Sequence, residues 1–403
     1  MMKFSVSKLS PEGGRLGVLS DIHQSTKQRD VEVLTPACLM YTRGGSVPHL
    51  TLDMVRCLPH QSGIVELTVS SFIEYRETMD GFKDGLAKFV GISNALTYLA
   101  VQDSCKSAPA GYNDKSTVSV WAPSGRFRLN SASFMSFQRA AKSNITEALC
   151  DGDTREGCSK KRIQKAVNKT LQFLDEILEE NLNAETCQQT EIFGVIEGGD
   201  LLSERLRSTK ETAKRPVAGF VLDSFGESFM KEETRWKLLE PIIKELPEDK
   251  PRMLPQIGEP LDVLLAIENG IDLFSAFYPY QITGTGCALV FSWSDENKKT
   301  LNYQTNRPDD INEGFYIDLN NKKFAEDFSP VLSDCECYCC QHHTKAYINH
   351  LLVTKELMAG VLLMSHNVHH YLSYFEAIRQ AIKSDTFALM KKHIQEQHMR
   401  TDR

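Results

Sequence analysis

The chain has 403 residues, of which 41% are hydrophobic and 25% charged, as is usual for a soluble globular protein. Its net charge is −7, which argues against binding nucleic acid through overall charge alone. The N-terminus lacks the apolar core of a signal peptide, and the apolar run at 357–364 is far too short to span a bilayer. We therefore expect a soluble intracellular protein whose eleven cysteines are reduced.

Two short basic segments interrupt this acidic balance, at 159–165 and 390–393. Both fall in stretches with a helical pattern. A segment of this kind can contact phosphates, because such contacts need only a local positive surface. The simpler interpretation of both is a solvated helix face.

The middle of the chain alternates between short strand-like runs and helical segments. The strand-like runs are 193–197, 217–222, 251–255 and 271–277, and the helices between them are 201–214, 232–246 and 261–269. Pro260 starts the third helix and Gly270 follows its end, the usual placement of these residues. Four βα units in succession predict a parallel sheet in an α/β fold.

A (β/α)8 TIM barrel is the favoured form of this sheet. Glycines and polar residues follow the strands, where the active-site loops of barrels lie. A doubly wound dinucleotide fold is disfavoured because no GxGxxG motif follows a strand.

The C-terminal quarter begins with a cysteine cluster, in which Cys335, Cys337, Cys339 and Cys340 fall within six residues. A soft metal ion is the usual reason to gather thiols this closely, and three cysteines with one histidine complete the tetrahedral shell of Zn²⁺. Because no position stays open, the pattern predicts one structural zinc ion. A redox switch and plain packing are the alternatives. The spacing brings three of these cysteines into the shell and leaves Cys339 outside.

The fourth ligand is a histidine that spacing alone does not select. His366 lies on a later apolar stretch, and its competitors are His342, His343, His350, His369 and His370. Apolar faces predict helices over 344–365 and 368–382, which zinc would tie to the cysteine loop. We therefore divide the chain into a barrel body at 1–330 and, at 331–403, a zinc-binding subdomain with helices that complete the barrel.

The segments 193–199, 246–260 and 266–274 resemble the tRNA-guanine transglycosylase family. The zinc signature of that family is Cys-x-Cys-x2-Cys-x25-His, which Cys335, Cys337, Cys340 and His366 fit without adjustment. The resemblance covers most of the chain. It implies a (β/α)8 barrel with a zinc subdomain, and it makes His366 the favoured fourth ligand.

The resemblance also implies a reaction, in which an aspartate attacks the ribose of an anticodon nucleotide and displaces guanine in favour of queuine. In the family this aspartate directly follows a Gly-x-Asp-x-Phe strand. Here the strand at 270–274 is followed by Ser275. A serine has a high pKa, and a ribosyl group bound to it would be hard to release, so Ser275 does not replace the nucleophile.

Three further parts of the family's base pocket are changed. The Asp-Ser-Gly-Gly-Phe-Gln loop corresponds to 103–108, which lacks its glycines and glutamine, and Glu197 replaces the base-reading glutamine. The Gly-Gly-Leu-Ala-Val-Gly-Glu loop becomes 219–227. The resemblance therefore implies a non-catalytic, accessory member of the family with no catalytic residue. The alternative is an active transglycosylase with a relocated carboxylate. Its candidates are Asp103, Asp223 and, less favourably, Asp272.

Partners and location follow from the same resemblance. A non-catalytic member is expected to form a heterodimer with the catalytic subunit of a queuine tRNA-ribosyltransferase and to help it hold tRNA. A homodimer is expected when the chain is alone. The expected location is the cytoplasm, with peripheral association at the mitochondrial outer membrane, although nothing in the composition indicates a membrane.

Overall fold

The structure is a computed structural model that describes residues 2–22, 31–184, 189–294 and 314–401. Its strands are Lys3–Leu9 (β1), Arg15–Ser20 (β2), Val33–Thr35 (β3), Ala37–Tyr41 (β4), Ile64–Thr68 (β5), Leu96–Ala100 (β6), Val118–Ala122 (β7), Gly125–Leu129 (β8), Ile145–Glu147 (β9), Glu191–Ile196 (β10), Gly219–Leu222 (β11), Arg252–Leu254 (β12), Leu273–Ser275 (β13), Cys287–Leu289 (β14) and Tyr316–Asp318 (β15).

Its helices are Leu52–Arg56 (α1), Val69–Phe72 (α2), Arg76–Phe82 (α3), Leu86–Phe89 (α4), Ser131–Ala141 (α5), Lys160–Leu182 (α6), Leu202–Ala213 (α7), Glu232–Lys244 (α8), Pro260–Glu268 (α9), Tyr278–Gly284 (α10), Tyr338–His342 (α11), Lys345–Val353 (α12), Leu357–Lys383 (α13) and Phe387–Thr401 (α14). Short 3-10 turns occur at Ile73–Tyr75 and Lys322–Phe324.

Eight parallel strands form a closed barrel in the order β4, β5, β6, β9, β10, β11, β12 and β13. The barrel closes where β13 pairs with β4, which sets Leu273 beside Ala37 and Ser275 beside Leu39. The barrel strands have few exposed positions, and every residue of β6 is buried, as expected when helices cover a parallel sheet. The predicted TIM barrel is confirmed.

The four predicted βα units are the second half of this barrel, from β10 to α10. Pro260 occupies the first turn of α9 as expected. Gly198, which follows β10, shows why a glycine is needed at a strand end. Its φ is +150°, and a Cβ there would lie 2.5 Å from the backbone nitrogen of Arg205 in α7. A larger residue would push this helix away from the strand.

The antiparallel sheet β1–β2–β3 lies at the N-terminal end of the barrel strands. Arg15 of β2 donates hydrogen bonds of 2.8 and 2.6 Å to the two carboxylate oxygens of Asp272, the residue just before β13. Both side chains are almost fully buried. A bidentate, charge-assisted pair of this kind fixes orientation as well as energy, so it holds the sheet in place.

The long helix α13 connects the barrel to a second, smaller hydrophobic core. At its C-terminal half, Phe375 packs on Phe274 of β13 with ring centroids 5.6 Å apart, and Tyr374 donates a hydrogen bond to the carbonyl of Pro260. At its N-terminal half, Leu362 and Leu363 pack in the second core together with three cysteines of the cluster. One rigid element therefore joins the two cores.

The predicted helix boundaries in this region were wrong in one respect. The sequence analysis placed a boundary near residue 366, but the chain breaks at 354–356 and then continues as one helix through 383. The break is at Lys355, whose φ is +58°, outside the helical region. Around 366 the polar side chains are buried and bonded instead, since Asn367 accepts a hydrogen bond from the amide of Leu289.

Among the described residues, no helix combines the length and apolar character needed to cross a membrane. The longest, α13, carries histidines, an asparagine, a glutamate and an arginine along its length. The division of the chain at residue 330 stays a prediction. The second core draws on both sides of that position, because Ala288 and Leu319 pack with Leu362.

Candidate metal centre and barrel mouth

Four side chains from two distant parts of the chain converge beside β14. The Nδ1 atom of His366 lies 3.7, 3.5 and 3.3 Å from the sulfur atoms of Cys335, Cys337 and Cys340. Cys337 caps α11, where its sulfur accepts a hydrogen bond of 3.3 Å from the amide of Cys340. The structure therefore brings the four predicted ligands together in a cluster that can hold a metal ion.

A main-chain carbonyl orients the histidine of this cluster. The Nε2 atom of His366 lies 2.7 Å from the carbonyl oxygen of Leu289, and the ring is fully buried. Nε2 therefore carries the proton and donates a hydrogen bond to the carbonyl. The lone pair of Nδ1 is then directed at the three sulfur atoms. Metal-binding histidines are commonly fixed in this way by a partner on the other nitrogen.

The donor set and its dimensions fit a tetrahedral zinc ion. Bonds of about 2.3 Å to sulfur and about 2.05 Å to nitrogen would separate those two atoms by about 3.6 Å. The three observed distances, 3.3 to 3.7 Å, lie around that value. Hydrogen bonds from the thiols of Cys335 and Cys340 lower the pKa of Cys337, which favours its thiolate form. The identity of the metal stays a prediction.

The remaining candidates for this cluster lie outside it. Cys339 is fully buried in the second core, and burial raises the pKa of its thiol. The competing histidines have other contacts or exposed positions. Among them, His343 stacks on Tyr347, and His370 approaches the carbonyl of Phe291 at 3.0 Å.

At the C-terminal end of β13, Ser275 is tied to the neighbouring barrel interior. Its hydroxyl donates a hydrogen bond to Glu66 of β5, and Ser104 donates another, of 2.8 Å, to the same carboxyl group. Ser275 and Glu66 are both 0% exposed, and burial raises the pKa of Glu66 to about 7. The serine hydroxyl is therefore enclosed rather than presented to a substrate.

Asp103, a candidate for a relocated carboxylate, lies near this pair after β6. Its Oδ1 accepts hydrogen bonds from the hydroxyl of Tyr41 at 2.7 Å and from the amide of Cys105 at 3.0 Å. Lys106 forms an ion pair of 3.7 Å with the other oxygen. The carboxylate is thus engaged in local contacts that stabilise its loop.

Asp272, a further candidate for a relocated carboxylate, lies next to the N-terminal end of β13, away from the mouth. It precedes the strand, and Ser275 ends it, so the two are about 10 Å apart along an extended chain. Its carboxylate is occupied by Arg15, as described above. Asp272 therefore has a structural role at the end of the barrel opposite the mouth.

Two glutamates of the mouth, the fully buried Glu66 and the half-buried Glu147, were missed by the sequence analysis. Glu66 contacts Ser275, and Glu147 of β9 accepts hydrogen bonds from the amide of Val101 at 2.7 Å and the hydroxyl of Tyr98 at 3.0 Å. Burial raises the pKa of Glu147 to about 8. The available signal was a glutamate inside an otherwise apolar strand, which the sequence analysis did not use.

Glu197 and Asp223 lie close together on the loops after β10 and β11. Thr154 donates a hydrogen bond of 3.0 Å to one oxygen of Glu197. Asp223 receives hydrogen bonds from Ser224 at 3.1 Å and from the thiol of Cys150 at 3.7 Å. Glu197 thus lies between a second acidic group, Asp223, and the buried guanidinium of Arg205, and burial with the charge of Asp223 raises its pKa.

The two basic segments differ in their surroundings. At the start of α6, Lys160, Lys161 and Lys165 are exposed, but Arg162 forms a bidentate pair with Asp151 at 2.7 and 3.0 Å. The segment at 390–393 is mostly engaged in packing. Its Met390 and His393 are buried, and Lys391 bonds to Glu268. Only the first segment offers a cluster of exposed lysines.

The fold and the cluster together define a class, the TIM barrels that carry a Cys3His metal centre at the C-terminal helices. A family model described as queuine tRNA-ribosyltransferase matches residues 11–400. The chain belongs to this family of tRNA-guanine transglycosylases.

The chain is also similar over nearly its whole length to proteins named queuine tRNA-ribosyltransferase accessory subunit 2. The protein from Gallus gallus is 42% identical over 95% of this chain and 94% of its own length. The protein from Homo sapiens is 42% identical over 98% of this chain and 100% of its own. The protein from Ixodes scapularis is 37% identical, with 94% and 97% covered. Barrel and metal cluster are both included in this similarity.

Proposed function

We propose that this chain is the non-catalytic accessory subunit of a queuine tRNA-ribosyltransferase, the enzyme that exchanges guanine for queuine at the wobble position of the tRNA anticodon. It pairs with the catalytic subunit and supports the binding of tRNA. One observation carries the proposal. By the family resemblance, Ser275 follows the strand at which the nucleophile is expected, and its buried hydroxyl donates a hydrogen bond to Glu66.

The reaction explains why this replacement removes activity. The nucleophile must attack the ribose and then leave when the new base arrives, which a carboxylate can do. A serine alkoxide is a much poorer leaving group. Glu66 could accept the proton of Ser275, but both side chains are 0% exposed, so no ribose reaches them in this arrangement.

The alternative is an active transglycosylase that uses a relocated carboxylate. Asp103 and Asp223 are the candidates, because both follow barrel strands at the mouth. The contacts of Asp103 with Tyr41 and Lys106 argue against it as a free nucleophile. The activity measurement below separates the two functions.

The proposed zinc ion has a structural role. Cys335, Cys337, Cys340 and His366 supply four ligands, and a tetrahedral site with four protein ligands has no position for substrate. The ion would join the loop before α11 to the middle of α13. Since α13 also packs on β13, the cluster would fix the second core against the barrel.

The aromatic ladder, which consists of Tyr338, His342, His343 and Tyr347, is the proposed contact with the catalytic subunit. Tyr338 lies 4.7 and 5.7 Å from the two histidine rings, and His343 stacks on Tyr347 at 5.3 Å. The two tyrosines are 54% and 42% exposed. Exposed, mutually ordered aromatic side chains are typical of the centre of a protein interface. A second copy of the chain would use the same ladder in a homodimer.

The lysine cluster at the start of α6, formed by Lys160, Lys161 and Lys165, is the proposed contact with tRNA. The three side chains are exposed, and within the described residues no acidic group lies at ion-pair distance. Such lysines neutralise phosphates without reading sequence. This agrees with a subunit that holds tRNA while its partner performs the reaction.

The first experiment measures incorporation of labelled guanine or queuine into tRNA by the chain alone, by the catalytic subunit alone and by their mixture. Activity that requires the mixture, with a one-to-one complex by mass, supports the proposal. Activity of the chain alone would favour a relocated carboxylate, and Asp103→Asn and Asp223→Asn would then identify it.

The cytoplasm and the mitochondrial outer membrane are the proposed location, which rests on the family resemblance. Peripheral association would depend on a partner or on surface contacts. Fractionation of cells that express the tagged chain would test it, because a peripheral protein is released from mitochondria by salt.

A further inference from the structure

A second cluster of potential metal ligands lies at the mouth of the barrel, far along the chain from the Cys3His centre. Cys150 follows β9, Glu197 follows β10 and Asp223 follows β11. One ligand atom of each lies within 4.8 Å of the others. We call these three residues the mouth cluster.

One oxygen of the mouth cluster is buried without a hydrogen-bond donor. Glu197 is 0% exposed, and its Oε2 accepts hydrogen bonds from Thr154 at 3.0 Å and from the amide of Gly198 at 3.3 Å. Its Oε1 has no donor in the part of the chain that the structure describes. A buried acceptor without a donor is costly, so this oxygen calls for a proton or a cation.

The space beside this oxygen is kept open by a glycine. A Cβ on Gly152 would lie 2.3 Å from Oδ2 of Asp223 and 3.2 Å from Oε1 of Glu197. Both oxygens therefore face the same point, which any side chain at position 152 would fill. Two carboxyl groups that share such a point repel each other unless a positive charge lies between them.

The nearby arginine does not supply that charge by direct contact. Arg205 is fully buried, and its guanidinium donates to the main-chain carbonyls of Gly199 at 2.9 Å, Ile196 at 2.8 Å and Asp223 at 2.9 Å. Among the described side chains, no ion pair within 4.0 Å joins Arg205 to Glu197. The guanidinium thus orders the loop backbone and makes the local electrostatic potential more positive without bridging the carboxylates.

We propose that Cys150, Glu197 and Asp223 bind one divalent cation of the zinc class. A thiolate with two carboxylates is a donor set that suits a borderline-soft ion. With Cys150 and Glu197 deprotonated, the cluster carries three negative charges, which the ion and Arg205 balance together. Binding releases the protons of Cys150 and Glu197 to solvent, and no oxidation step is involved.

The site would have an open face, unlike the Cys3His centre. Three protein ligands leave a fourth position of a tetrahedral ion for water or another small ligand. This position would lie at the mouth of the barrel, next to Glu197, which by the family resemblance takes the place of the base-reading glutamine. The proposal does not depend on the proposed function, because the cluster is defined by its own geometry.

The test is the zinc content of the full-length chain. Protein dialysed against a slight excess of Zn²⁺ and then against metal-free buffer is expected to retain two equivalents by mass spectrometry of the metal. The double variant Cys150→Ser/Glu197→Gln is expected to retain one. Cys158→Ser, which removes a thiol outside the cluster, serves as the matched control and is expected to retain two.

Two results would overturn the proposal. The first is one equivalent in the unmodified chain, which would assign the facing oxygens of Glu197 and Asp223 to a shared proton. The second is two equivalents in the double variant. Since the double variant could lose its fold, circular dichroism accompanies each sample, and Glu197→Gln alone provides a milder change. One equivalent in the unmodified chain overturns the proposal whatever the variants do, and two equivalents there with one in folded Glu197→Gln support it.

Discussion

The Cys3His cluster and the barrel mouth differ in whether their buried side chains remain available to a ligand. At the cluster, the four predicted ligands come together, and the carbonyl of Leu289 orients His366 toward the sulfurs. At the mouth, the strands form a closed barrel, but the buried hydroxyl of Ser275 at the end of β13 is already bound to Glu66. The difference teaches that burial has opposite consequences at the two sites. It aims four side chains at a point that an ion can occupy in the first, and it closes a hydroxyl against its neighbour in the second.

The largest expected effect comes from removing one ligand of the Cys3His cluster. Cys337→Ala removes a buried ligand, and structural zinc in small domains contributes about 10 kcal/mol or more of folding free energy. We expect loss of the bound metal, a lower melting temperature and an unfolded C-terminal part. Metal analysis and thermal unfolding measure this. Cys339→Ala, a change at a buried thiol outside the cluster, should keep the metal, and equal losses in both variants would argue against a specific ligand role.

The next effect concerns the pH dependence of stability at the mouth. Burial raises the pKa of Glu66 to about 7 from 4.5, so the folded state binds its proton more tightly than the unfolded state. Its contribution is therefore complete below pH 4.5 and is lost as pH rises through about 7, by about 3 kcal/mol.

The variant Glu66→Gln cannot ionise, so its stability should fall less between pH 5 and pH 8, as urea unfolding at a series of pH values would show. The exposed Glu233→Gln is the control, and it should keep the original slope. An unchanged slope in Glu66→Gln would mean that Glu66 titrates normally in the folded chain.

A smaller effect is expected at the aromatic ladder. Tyr338→Ala with Tyr347→Ala should weaken binding of the catalytic subunit by about 2 kcal/mol, roughly 30-fold in Kd, because interface tyrosines often dominate binding energy. Calorimetry with the purified subunits measures this. Tyr75→Ala, which changes a tyrosine of similar exposure at a distant site, should bind normally. If the ladder variant also bound normally, the interface would lie elsewhere.

The lysine cluster should have a weaker, salt-dependent effect. Lys160→Glu with Lys161→Glu is expected to reduce the slope of log affinity for tRNA against log salt by roughly 2. Arg162 must be left intact, since it pairs with Asp151 and its change would disturb the fold. Lys237→Glu with Lys244→Glu alters net charge equally on α8 and serves as the control. Equal slopes for the two variants would exclude a specific contact.

The smallest effect is expected at Ser275. It bears most directly on the comparison between the Cys3His cluster and the barrel mouth. Ser275→Ala removes a hydroxyl that is enclosed with Glu66, so the activity of the mixed subunits should stay within about twofold. The labelled-base assay measures it. A tenfold loss with an intact complex would show that the hydroxyl takes part in the reaction.

Much of the fold was predictable because its signals are local. The second half of the barrel has regular apolar runs separated by glycine and proline, and the metal ligands Cys335, Cys337 and Cys340 are close in sequence. The pairing of Ser275 with Glu66 was not predictable in this way. These residues are 209 positions apart and meet only because the barrel closes.

The basic segment on α6 shows a second limit of sequence reasoning. Four of its residues within six positions are positively charged. Arg162 nevertheless pairs with Asp151 on the preceding loop, and the neighbouring lysines do not. A helical pattern predicts the direction of a side chain, but it does not show which charged group of another segment lies in that direction. The ion pair depends on how the loop after β9 folds back.

The enclosed contact between Ser275 and Glu66 limits the side chains that position 275 can accept. An aspartate placed there would face the buried carboxyl group of Glu66, and the two acids would have to share one proton or repel each other. An aspartate at position 275 is therefore expected to be tolerated better when Glu66 is changed as well.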